Sequence, residues 1–379
     1  MKASANYARS DRAHYLDSLR GFAALSVMLS HLVVVGYNQL GWIWIATIYL
    51  PIRIAIAGHQ AVILFFVLSG FALTRMIGGM RSYAYPRYLA ARVVRLYPPY
   101  AASIVLAACV YFCLEKLGFD WKDGWMYTVH PHINKEIIAD HALLVGPLNA
   151  RDISPVIWSI AMEMRISIAF PIILYLVRRF GGYAVLAMMI CSLAIGPLIP
   201  WADAHYRSYV SQTMLTVHYA TFFFIGCWLS FNVDSLRARI PSKYLVVAWC
   251  IALALYAYPF FGEWKIIARV CGDVAVGVGA ALLITLCSTV KDNSFLRFGG
   301  WLGKYSYSLY LNHILVMFTA IIVLYRSAGA IVVWCVTIPA ALLLAVLMHK
   351  LFEWPSVLLG RKILRGFSSS HPVTKQLDA

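Results

Sequence analysis

The apolar residues of this chain come in long blocks, and that constrains the fold more than any other feature. The blocks lie near 20–37, 60–77, 97–114, 153–177, 183–200, 212–231, 244–261, 268–289, 305–325 and 329–350. A bilayer-spanning helix needs roughly 20 predominantly apolar residues. Strand-based spanning would read as short segments of alternating polarity, and these blocks are too long and uniform for that. They occupy most of the 379 residues, which leaves no room for a large soluble domain. Charged residues make up 13%, against about 25% in a soluble domain. The expected fold is an all-α integral membrane protein with about ten transmembrane helices and N- and C-termini cytoplasmic. On this reading 1–14 is a cytoplasmic tail, 15–360 is the transmembrane domain, and 361–379 is a basic, then polar tail expected to be disordered.

The net charge of +16 would suit a nucleic-acid binder, but its distribution fits a membrane. With the N-terminus inside, 22 of the 32 Lys and Arg residues fall on the cytoplasmic side. That is the positive-inside bias, which sets topology. Nucleic acid is therefore not an expected partner, and membrane lipid is. The segment 40–57 is apolar but interrupted by Pro51 and Arg53. Counting it as a span would put Arg75 to Arg95 outside, so it is read as an outer interfacial segment anchored by Trp42 and Trp44. Eight cysteines all lie in apolar blocks without a Cys-x-x-Cys pair, and are read as core or lipid-facing residues. The N-terminus shows no signal-peptide pattern. The long outer loop 116–152 carries His130, His132 and His141. No fourth ligand accompanies them, so the loop is read as acceptor-binding and no metal is expected.

Charged side chains inside a span are costly and mark function by default. Arg20 stands at the cytoplasmic end of the first span. His31 lies 11 residues on, roughly 16 Å deeper and, after almost three turns, on the same face. Glu163 is about 15 Å into the fourth span from outside, and His313 about 13 Å inward from Lys304. Two histidines and a carboxylate on three helices thus converge at one depth, as a shared polar site would require. Arg165, two residues past Glu163, faces elsewhere. Asp273, four residues after Arg269, is expected to pair with it.

Five segments resemble the acyltransferase family 3 membrane proteins. They are YLDSLRGFAALSVMLSH (Tyr15–His31), HQAVILFFVLSGFALTR (His59–Arg75), RYLAARVVRLYPPY (Arg87–Tyr100), WSIAMEMRISIAFP (Trp158–Pro171) and GKYSYSLYLNHILV (Gly303–Val316). They occur in the family's order and cover almost the whole chain. Two departures stand out. Ser18 occupies a position where the family often has Gly, and Ala61–Val62–Ile63 replaces a Gly-Val-acidic triplet.

The resemblance implies an enzyme, an acyltransferase for groups other than amino-acyl groups. It would move an acyl group, usually acetyl, from cytoplasmic acyl-coenzyme A to a hydroxyl of a carbohydrate or lipid-linked acceptor, with no bound cofactor. The implied location is the inner (cytoplasmic) membrane. The larger members carry an extracytoplasmic esterase-like domain that this chain lacks, so a separate extracytoplasmic transferase is a possible partner. Residue by residue, Arg20 and His31 match the first-span pair, Arg92 and Arg95 the basic block, Glu163 the fourth-span Glu, and Tyr310 and His313 the later motif. Arg20, Arg92 and Arg95 would then hold the coenzyme A phosphates. His31 would act as general base or as covalent acyl relay. Glu163 would orient His31, and Tyr310 and His313 would shape the acceptor side or a proton path. The rival reading is a proton-coupled transporter or flippase of a polysaccharide or lipid precursor. No internal repeat of the kind found in many transporters is visible.

Overall fold

The computed structural model describes residues 2–36, 51–80, 84–119, 141–142, 144, 153–199, 208–257 and 266–365. Among them there are helices and no strands. The α-helices are α1 (Lys2–Gly36), α2 (Gly58–Gly78), α3 (Tyr85–Lys116), α4 (Ile157–Phe180), α5 (Gly182–Ile195), α6 (Ser208–Arg239), α7 (Leu245–Tyr256), α8 (Ile266–Cys287), α9 (Ser294–Met348) and α10 (Trp354–Arg365). The protein is an all-α, multi-pass membrane protein. Among the described residues, eight helical segments are long and apolar enough to cross a bilayer. Two further apolar helices, Gly182–Leu198 and Ser242–Tyr256, are shorter. Each of the ten apolar blocks thus contains a helix.

Helix α9 holds the span Ser294–Tyr325 and begins a second, Ser327–Leu364, that runs on through α10. They meet at Gly329, whose φ of 76° and ψ of 178° break the helical path. Only glycine visits that conformation cheaply. A five-residue π-helical turn, His349–Glu353, joins α9 to α10 within that second span. Prolines sit inside α3 (Pro98, Pro99), α4 (Pro171) and α9 (Pro339), which packed membrane helices accommodate because neighbours satisfy the freed carbonyls.

Burial between apolar helices gains little in lipid, so close backbone approach matters more. Small residues stand where this chain needs it. The most extensive interface joins α1 to α9. There a Cβ on Gly303 would overlap the Asp17 carbonyl, and one on Gly21 would overlap the Gly299 carbonyl. Ser18 donates to the Leu296 carbonyl at 2.5 Å across the same seam. On the other side of α2, Gly70 abuts the Phe223 backbone and Gly226 the Val67 carbonyl. These two seams join α1 to α9 and α2 to α6, and α1 also packs on α2.

The N-terminal segment is helical from Lys2, continuous with the first span. Of the segment 40–57, Pro51–Ile56 forms a 3-10 helix; Trp42 and Trp44 lie outside the described residues, as do His130, His132 and the tail 366–379. His141 is buried, with its Nδ1 2.9 Å from the Tyr100 hydroxyl.

Candidate active site

His31 and His313 meet. His313 Nε2 lies 3.3 Å from His31 Nδ1, and the ring centroids are 5.3 Å apart. Both nitrogens Nδ1 also face a carbonyl one turn back in their own helix. His31 Nδ1 is 2.9 Å from the Val27 oxygen, and His313 Nδ1 is 3.0 Å from that of Leu309. A carbonyl oxygen only accepts, so each neutral ring must carry its proton on Nδ1. The His31 proton is then shared between Val27 and the lone pair on His313 Nε2. His31 Nε2 keeps its own lone pair. His313 is fully buried, whereas His31 is partly accessible. His31 Nε2 is therefore the ring nitrogen of the partly accessible member that keeps a lone pair, and His313 Nε2 faces the other side of that ring.

Glu163 does not touch His31. Its Oε1 accepts from Arg92 Nη2 at 2.8 Å and from Ser69 Oγ at 3.1 Å. The expected orientation of His31 by Glu163 thus gives way to an ion pair between α3 and α4. The reason is local: Ser159, Glu163 and Ser167 are spaced by four and share one face of α4. That face meets α3, where Arg92 also donates to Ser167 Oγ at 3.0 Å and Tyr88 to the Ser167 carbonyl at 2.8 Å. Arg92 is 5% exposed. Its Nη2 is engaged by Glu163 and Ser167, while its buried Nε has no hydrogen-bond partner in the protein.

The other two expected cations remain accessible. Arg95 is exposed, with Arg20, Arg92, Glu163 and Glu353 as charged neighbours. Arg20 is partly exposed and makes a loose contact with Asp17 at 3.7 Å, a separation too long to hold it firmly. Both belong to one charged mouth at the Arg20 end of the bundle. Glu353, on the π-helical turn, also faces this region. It accepts from Ser308 at 2.6 Å and has His349 Nδ1 at 3.0 Å. Sequence reading missed it, although a carboxylate beside an apolar block was the signal available.

Tyr310 is 5% exposed, and its ring centroid lies 6.0 Å from that of His313. Its hydroxyl is 2.7 Å from Ser159 Oγ and donates to the Val156 carbonyl at 3.2 Å. It pins α9 to the start of α4. Arg165 donates to Thr216 Oγ1 at 3.3 Å and to the Gln212 carbonyl at 3.5 Å, on α6 and away from Glu163. Asp273 does not pair with Arg269. It accepts from His59 Nε2 at 2.8 Å and from His218 Nε2 at 3.0 Å. Histidines on two distant segments compete better for a buried carboxylate than an exposed Arg one turn away. Among the described residues no group of three potential ligands could hold a metal ion.

Fold and site define a helical membrane protein with a histidine pair inside the bundle and a cationic mouth at one end. The family model described as an acyltransferase domain matches residues 13–350. The chain belongs to acyltransferase family 3 and is a membrane acyltransferase. No curated protein and no solved structure matches it.

Proposed function

We propose that the chain is an O-acyltransferase of the inner (cytoplasmic) membrane. It takes an acyl group, acetyl in the first instance, from cytoplasmic acyl-coenzyme A and delivers it to a hydroxyl of a carbohydrate or lipid-linked acceptor. The observation that carries this reading is the His31–His313 pair, whose hydrogen bonds leave a lone pair on His31 Nε2.

The donor is an anionic nucleotide with a thin arm ending in a thioester. It suits a site with cations at a mouth and a nucleophile or base at depth. Arg20 and Arg95 supply the cations, and guanidinium forks bind phosphate bidentately. His31 lies 11 residues beyond Arg20 on α1, about 16 Å along the helix axis. At that depth His31 Nε2 either takes the proton of the attacking hydroxyl or takes the acyl carbon itself. In both cases the C–S bond breaks, its electron pair stays on sulfur, and the departing thiolate takes up one proton. The acceptor hydroxyl supplies that proton in the net reaction.

The test is transfer from labelled acetyl-coenzyme A in membranes carrying the wild type or His31→Ala. Labelled acceptor should appear with the wild type only, and equal labelling in both would sink the role of His31. Proton-coupled solute flux without acyl transfer would favour a transporter.

A further inference from the structure

The π-helical turn His349–Glu353 carries two ionisable side chains that take no part in the chemistry above. The turn packs on α3 and α9. Turns of this kind interrupt α-helices mostly at functional sites, and a carboxylate within an apolar span is costly unless it has work to do. Glu353 Oε2 accepts from Ser308 Oγ of α9 at 2.6 Å. His349 Nδ1 stands 3.0 Å from the same oxygen, without the alignment that a hydrogen bond needs. Neither ring nitrogen of His349 is hydrogen-bonded in the protein, and the rings of Tyr305 and Trp354 lie against it.

The second carboxylate oxygen of Glu353 is open. Oε1 has no hydrogen-bond partner among the described residues, and it is not among the buried atoms left without one. Beside it stands Arg95, which is exposed and has both Arg20 and Glu353 as charged neighbours. Arg95 and Glu353 do not pair with each other. Tyr307 donates to the Leu96 carbonyl at 2.8 Å and so fixes α9 to the turn of α3 that carries Arg95. On the same side Gly360 of α10 comes within Cβ contact of the Ala91 carbonyl. The π-helical turn and α10 thus form one wall of the arginine mouth.

Depth says which part of a ligand Glu353 would meet. Helices α1 and α9 run side by side in the same direction: Gly21 abuts Gly303, and ten residues further along each helix His31 meets His313. Ser308, which holds Glu353, precedes His313 by five residues, about 7.5 Å along the axis. Arg20 lies about 16 Å from His31 on the same scale. Glu353 therefore stands between the cations and the histidine pair. A carboxylate repels phosphate and accepts from N–H groups. In coenzyme A the groups between the phosphates and the thioester that offer N–H are the amides of the pantetheine arm. The adenine amino group lies on the far side of the phosphates.

We propose that Glu353 is a donor-binding residue, whose Oε1 accepts a hydrogen bond from an amide N–H of the coenzyme A arm between the arginine mouth and His31. Ser308 is the positioning residue that holds its other oxygen. The identity of the ligand rests on the acyl-transfer reading. The alternative is a carboxylate that only balances the charge of Arg95. The two predict opposite signs. A balancing carboxylate repels the phosphates, so its removal tightens coenzyme A binding. Loss of an amide acceptor weakens it.

The experiment displaces labelled coenzyme A from the full chain in lipid nanodiscs, with unlabelled coenzyme A and with ADP, which has the phosphates and lacks the arm. Glu353→Ala should weaken coenzyme A binding by about 10–100-fold, the size of one hydrogen bond to a charged group, and leave ADP binding unchanged or tighter. Glu353→Gln should fall between wild type and Glu353→Ala, because its amide oxygen still accepts. Ser308→Ala should weaken coenzyme A by about fivefold, the size of a neutral hydrogen bond, again without weakening ADP, and Ser308→Thr should restore it. Unweakened coenzyme A binding in Glu353→Ala, or ADP weakened as much as coenzyme A, would overturn the proposal; the second result would mark a disturbed fold or a nucleotide contact. Acyl transfer is measured separately in membranes. If the wild type binds coenzyme A but moves no acyl group, the acyl-transfer reading falls and displacement alone decides on Glu353. If the wild type does not bind coenzyme A, both fall.

Discussion

Arg92 of α3 donates to Glu163 of α4 at 2.8 Å, with side chains only 6% and 18% exposed. This is the one Arg–carboxylate pair among the described residues that ties two spans together inside the bundle. A buried charge left alone costs far more than a pair gains, so removing one partner is destabilising by roughly 3–5 kcal/mol. Arg92→Ala and Glu163→Ala should each lower the thermal midpoint in detergent. The double replacement Arg92→Met with Glu163→Leu should recover much of that loss, because no charge remains buried. A double-mutant cycle by thermal denaturation checks this, and additive losses would contradict it.

His313 is fully buried and meets no solvent, while His31 does. The two should therefore differ in kind. His31→Ala should remove about 10²-fold or more of the acyl-transfer rate, the range for a lost general base. His313→Gln disturbs only the ring it holds, and misplacement by an ångström costs up to about 10²-fold. It should lower the maximal rate with the acetyl-coenzyme A requirement unchanged. Steady-state kinetics at varied donor would show this, and a selective rise in that requirement would place His313 on the donor instead.

Tyr310 bonds to Ser159 and to the Val156 carbonyl. A net hydrogen bond is worth about 1 kcal/mol. Tyr310→Phe should cost one to two of these in stability and leave the transfer rate within about an order of magnitude, below the about 10²-fold cost of losing an acid or base. A loss in rate far beyond the loss in folded protein would instead put the phenol in the chemistry.

Arg95 is exposed at the mouth, whereas Arg92 is engaged. Arg95→Gln and Arg20→Gln should raise the half-saturating acetyl-coenzyme A concentration with the fold intact. Each charge-assisted bond is worth roughly 1.5–3 kcal/mol, or about 10–100-fold in affinity. Binding of coenzyme A by calorimetry is the direct measurement. No change in either variant would remove the mouth from the donor site.

Gly70 packs on the Phe223 backbone and Gly226 on the Val67 carbonyl. Backbone cannot yield as a side-chain tip can. Gly70→Leu or Gly226→Leu should cost at least the roughly 1–3 kcal/mol of core overpacking and reduce the monodisperse fraction on size exclusion. Gly78→Leu, where a Cβ meets nothing within 4 Å, should be tolerated.

The spans were legible because lipid imposes one rule everywhere: backbone polar groups must be satisfied within the segment, so long apolar blocks become helices. All ten blocks contain helices on that ground alone, and the family followed from motifs in fixed order. The helical period likewise put Arg20 and His31 on one face of α1, because that relation lies within a single helix. Partner choice was not legible. Depth along a span says which groups share a level, but not which way each face turns. Glu163 and His31 stand on different helices, and the rotation of α4 gives the carboxylate to Arg92 and Ser69. Asp273 had an arginine one turn away in sequence, yet close packing of α2, α5, α6 and α8 offered it two histidines. The sequence by itself determined that this chain spans a membrane many times and to which family it belongs. Only the tertiary structure decided which ionisable groups pair, because pairing depends on the rotation and contact of helices far apart in the chain.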